Sequence, residues 1–73
     1  MTHEEIRAAR KALGLSLSEF AEMLDTDKTT TRRLEMDPSH NSARAPAPRM
    51  VRLIRAYLEG YRPVDWPHNS RWS

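Results

Sequence analysis

Cysteine is absent, glycine occurs twice and phenylalanine once. Without cysteine, neither a disulfide framework nor a thiolate zinc site can staple the chain, and the composition fits any redox compartment. His3, His40 and His68 are far apart in sequence and lack metal-ligand spacing, so no metal and no cofactor are expected. No apolar run approaches the roughly 18 residues of a membrane span, and the first residues do not read as a signal peptide. A soluble, cytoplasmic protein with no membrane partner is therefore expected. Catalytic signatures are also missing: there is no Ser/His/Asp cluster, glycine-rich phosphate loop or pair of interior carboxylates, and an enzyme is not expected. At 73 residues the chain is one domain near the lower size limit for folding alone, which favours oligomerisation.

Acidic residues are lacking over one long stretch. The net charge is only +2, but all ten Asp and Glu lie outside 38–58, whereas that stretch holds Arg44, Arg49, Arg52 and Arg55. Lys28, Arg32 and Arg33 form a second basic group. Clustering of this kind suits phosphate; on charge alone, arginines that merely solvate helix faces fit equally well.

What is present is a run of helix signals. In "THEE", Thr2 can cap a helix and Glu5 completes a capping box; Ile6, Ala9 and Leu13 follow at helical spacing, and Gly14 stops the segment. "SLSE" repeats the device with Ser16 and Glu19, followed by the apolar stripe Leu17, Phe20, Ala21 and Leu24. Asp25 can take a left-handed turn conformation, and Asp27 is a good cap for a third helix over 28–36. "DPSHNSARAPAP" reads as a loop. Pro48 opens a fourth helix over 48–59, stopped by Gly60. No strand pattern appears, so the fold expected is all-α, a compact bundle of four to five helices. A domain over 1–61 would be followed by a tail over 62–73.

The stretch "TTTRRLE" is unusual, because three consecutive β-branched hydroxyls are mediocre helix formers. At 3.6 residues per turn, Thr30, Thr31 and Leu34 fall on one side of the third helix, with Thr31 able to bond back to a helix carbonyl. Lys28, Thr29, Arg32, Arg33 and Met36 fall on the other. Arginine can bind guanine O6 and N7, threonine can meet a base or a thymine methyl, and lysine suits phosphate or guanine. Two short helices crossing through Ala21, the second presented outward, are the helix-turn-helix arrangement for the DNA major groove. A solvated helix with a weak core face is the alternative.

"RKALGLSLSEFAEMLDTDKTTTRRLE", residues 10–35, resembles the helix-turn-helix of the Cro and lambda-repressor-type (XRE) transcription regulators. The resemblance implies a lambda-repressor-like bundle that binds double-stranded operator DNA as a dimer. By position, Lys28, Thr29, Arg32 and Arg33 would be the recognition residues, and Ser16 would meet a phosphate at the start of the second helix. Asn41, Ser42 and Arg44, in the following loop, would meet the DNA backbone, although an ordinary exposed loop is nearly as consistent. Family members pair an arginine and a glutamate where this chain has Arg10 and Glu35, so a salt bridge is expected; the alternative is that Arg10 reaches water. The chain departs from the family in having Leu17 where a DNA-contacting glutamine is common, Asp25 for the turn glycine, and Thr26 and Thr31 at two aliphatic positions.

The fourth helix carries more apolar residues than one core needs. A two-fold homodimer through Val51, Ile54, Tyr57, Leu58, Tyr61 and Trp66 is expected, with Trp72 as a second anchor; a tail that folds back over its own helix is the competing arrangement. Two-fold symmetry would set a palindromic operator with half-sites about one helical turn, ~34 Å, apart. The combined expectation is a dimeric repressor of its own operon. Analogy with minimal relatives suggests a phage or mobile-element origin, such as an anti-CRISPR-associated autorepressor. An antitoxin-type module that holds a protein partner through its tail is the rival. RNA binding lacks the aromatic platform usual for single strands.

Overall fold

Reciprocal caps set the first two helices. Thr2 Oγ1 accepts the Glu5 N–H at 3.1 Å while Glu5 Oε1 accepts the Thr2 N–H at 2.7 Å, opening α1 (His3–Ala12). The N–H of Thr2 holds the exposed Glu5 carboxyl below the usual range. Ser16 and Glu19 make the same pair of bonds, at 3.1 and 2.9 Å, at the start of α2 (Leu17–Met23). Between them Gly14 takes the left-handed conformation (φ 71°) that ends α1, a conformation glycine adopts without a Cβ penalty.

Asp25 also sits at positive φ (57°), and the Thr26 N–H closes the turn onto the Ala21 carbonyl at 2.9 Å. Asp27 then caps α3 (Lys28–Leu34), which ends two residues earlier than its sequence pattern predicts, with Glu35 as its C-cap. A loop leads to α4 (Pro48–Leu58), where Ala47 gives no side-chain cap and proline opens the first turn; Glu59, placed in the helix by the sequence pattern, is instead its C-cap.

The computed structural model describes residues 1–67, which form a compact all-α bundle of these four helices with no strand among the described residues. α2 packs on α3, and α1 on α4. Ile6 and Ala9 of α1, Phe20 and Met23 of α2, Leu34 of α3 and Ile54 and Tyr57 of α4 meet in one core, joined by Leu15 and Leu24. Ile6, Phe20 and Ile54 are fully buried, each contributing about 1.5–3 kcal/mol through apolar burial. Among the described residues no helix is long and apolar enough to cross a membrane.

The segment after α4 corrects two expectations. Trp66 is buried in the same core, edge-on to Tyr57 at 5.1 Å between centroids, with the Arg62 guanidinium 4.3 Å over its ring. Arg62 Nη1 also donates to the Tyr57 and Tyr61 carbonyls, both at 2.8 Å, closing the end of α4. The domain therefore does not stop at 61 but runs through Trp66. Ile54, Tyr57 and Trp66, expected at a dimer interface, are instead consumed by the chain's own core and cannot face a second copy. Trp72 and His68 lie outside the described residues.

Candidate nucleic-acid interface

The third helix is held by contacts at both ends. Asp27 Oδ1 accepts the Thr30 N–H at 2.6 Å, and this bond keeps the exposed Asp27 carboxyl below its usual range. Thr31 Oγ1 donates back to the Asp27 carbonyl at 3.0 Å. That bond satisfies a hydroxyl that would otherwise be costly to bury, and Thr31 is 0% exposed. At the other end Arg10 and Glu35 form a two-pronged ion pair. Nε lies 2.8 Å from Oε2 and Nη2 3.2 Å from Oε1, while Nη1 donates to the Leu15 carbonyl at 3.2 Å. The two side chains are 16% and 8% exposed, so the bridge fixes α3 on α1 in a largely water-excluded place.

These anchors orient the helix. Thr31 and Leu34 point into the bundle, and Lys28, Thr29 and Arg32 are exposed on the opposite arc. Arg33 is half-buried on the flank of that arc, and its carbonyl accepts the Arg44 N–H at 3.1 Å. Four of the residues that sequence patterning groups together are thus on one side, three of them exposed. α3 contains no acidic residue.

The loop after α3 is organised by its own side chains. Asp37 Oδ1 accepts both the N–H and the hydroxyl of Ser39 at 2.9 Å, holding the Asp37 carboxyl below its usual range. His40 Nδ1 accepts the Ser42 N–H at 3.1 Å. Asn41 and Arg44 are exposed and Ser42 half-buried. The bond from Arg44 to Arg33 straps the loop to the end of α3, so Arg44 belongs to the same side of the molecule as the helix. Sequence patterning does not reveal this backbone strap.

Ser16 stands differently. Its hydroxyl accepts from Glu19 and its own N–H is taken by the Glu19 carboxylate. The capping box takes up the Ser16 and Glu19 N–H groups and places a carboxylate beside the start of α2, while the first-turn N–H groups of Leu17 and Ser18 are not part of it. Two further features escape the sequence: Tyr57 donates to the buried Met23 carbonyl at 2.6 Å, burial pushing its phenol pKa upward, and an open cavity lies beside the end of α3.

Comparison of the chain with protein-family models, with curated proteins and with solved structures finds no match. Among the described residues no three His, Asp or Glu side chains gather as a metal ion would require.

Proposed function

We propose that the protein binds double-stranded DNA sequence-specifically, with α3 lying in the major groove. The observation that supports this reading most is the division of α3 into two faces. Thr31 and Leu34 are 0% and 2% exposed, while Lys28, Thr29 and Arg32 are presented outward with Arg33 beside them. Arg32 and Arg33 supply guanidinium forks for guanine, Thr29 a hydroxyl and methyl for a base edge, and Lys28 a charge for phosphate. Arg44 and Asn41 on the strapped loop extend the contact to the DNA backbone, which would position the helix without reading sequence.

The binding unit we assign is a two-fold homodimer on a palindromic operator. Leu58, Tyr61 and Val64 remain 46%, 55% and 76% exposed, and with the half-buried Val51 they are the apolar residues left after Ile54, Tyr57 and Trp66 enter the core. Repression is the regulatory sense proposed, because a bound dimer occludes a promoter simply by occupying it.

Selection of bound sites from random duplexes should return a two-fold sequence. Arg32→Ala should then cost about 1–3 kcal/mol on that site and relax one base position. A loss equal on selected and random DNA would move Arg32 to the backbone contacts. Duplex titration that leaves the resonances of Lys28, Thr29 and Arg32 unmoved would overturn the proposal.

A further inference from the structure

The end of α3, the start of α1 and the loop before α4 border an open cavity of about 560 Å3, within the usual range of small-molecule sites. Met1, Leu34, Met36 and Pro46 give it apolar walls, and the two thioether chains can adapt to the shape of a guest. Its rim is polar. His3 and Glu4 face each other there at 3.8 Å. Arg44 has no ion-pair partner among the described residues, and its guanidinium bonds only the neighbouring Ala43 carbonyl at 3.1 Å. The cavity thus joins an oily body to a fork-shaped cation, Arg44, that no carboxylate pairs among the described residues.

We propose that this cavity binds a small carboxylic acid with an apolar body, of the medium-chain fatty-acid class. A carboxylate pairs with one guanidinium in bidentate fashion and carries a single charge to match it. A doubly charged phosphate is costlier to bring against the apolar walls than a singly charged carboxylate whose own apolar body covers them. The regulatory consequence rests on the proposed role of Arg44 at the DNA backbone. An acid paired with Arg44 withdraws that cation from phosphate, and the Arg44–Arg33 strap carries any shift of the loop to the end of α3. The ligand should therefore act as an inducer that weakens DNA binding.

Octanoate and octanol, titrated without DNA and followed through the methyl resonances of Leu34, Met36 and Ala43, test the site. Octanoate should shift them saturably. Arg44→Gln should weaken octanoate by about tenfold, the worth of a charge-assisted hydrogen bond, while octanol should bind more weakly and ignore that substitution. Ala43→Leu, or Ala45→Leu if the first unfolds, should fill the space and abolish the shifts. Absence of saturable shifts in the wild type, or equal binding of octanol and octanoate, overturns the site. With DNA added, bound octanoate should make the slope of log K against log salt shallower by about 0.9 for each Arg44 withdrawn. Unchanged DNA affinity with octanoate bound overturns the coupling alone. A ligand-free protein that binds no DNA overturns the functional reading and leaves the cavity result standing.

Discussion

Residues 1–35 and residues 36–67 are built by different means. In the first part each helix begins with a side-chain cap three residues from its partner, at Thr2, Ser16 and Asp27, and both turns use a left-handed residue, Gly14 and Asp25. In the second part α4 has no side-chain cap. It is held by contacts remote in sequence: Tyr57 to the Met23 carbonyl across 34 positions, and Trp66 folded back onto the core. Local chemistry decides one region and tertiary packing the other. The helix proposed to read DNA lies in the first, but its stability depends on the second.

The largest expected effect falls on that second region. Trp66→Ala should cost about 3–5 kcal/mol by removing a buried indole, a large share of the roughly 4–11 kcal/mol available to a chain of this length. Chemical denaturation should show it. A loss below about 1 kcal/mol would mean that 62–67 merely drapes over a core complete without it. Next comes Glu35→Ala, at about 3 kcal/mol, chiefly because it strands the Arg10 guanidinium among buried groups. A thermal melt matching the wild type would show that Arg10 reaches water when released, and would make the first region wholly local. Ser16→Ala should cost only about 1 kcal/mol, the usual worth of a helix cap. Should its unfolding midpoint drop as far as that of Trp66→Ala, the contrast between the regions would be lost.

Legibility in the sequence follows the same division. The two capping boxes, the aspartate turn and the opposed faces of α3 are all written at spacings of three or four residues, and the structure bears them out. The Arg10–Glu35 pair, 25 positions apart, has no such local spacing; the family resemblance implies it and the geometry contains it. The boundary at 61 is wrong because nothing near Trp66 in sequence shows that its ring completes a core built from α2 and α4. Ile54 and Tyr57 read as partner-facing for the same reason: a helix with apolar residues on more than one side does not declare which side its own chain will cover. At Ser16 the same local signal has a second effect: the capping box that locates the helix start also sets the Glu19 carboxylate beside the residue expected to meet phosphate.

Arg10 has a consequence beyond joining two helices. Glu35 is the only carboxylate between Asp27 and Asp37, and the guanidinium cancels it at 2.8 Å. Loss of Arg10 would therefore unmask a negative charge at the foot of the very helix proposed to approach a polyanion. The first helix, which need touch no nucleotide, thereby governs the strength of the positive field that the third one projects.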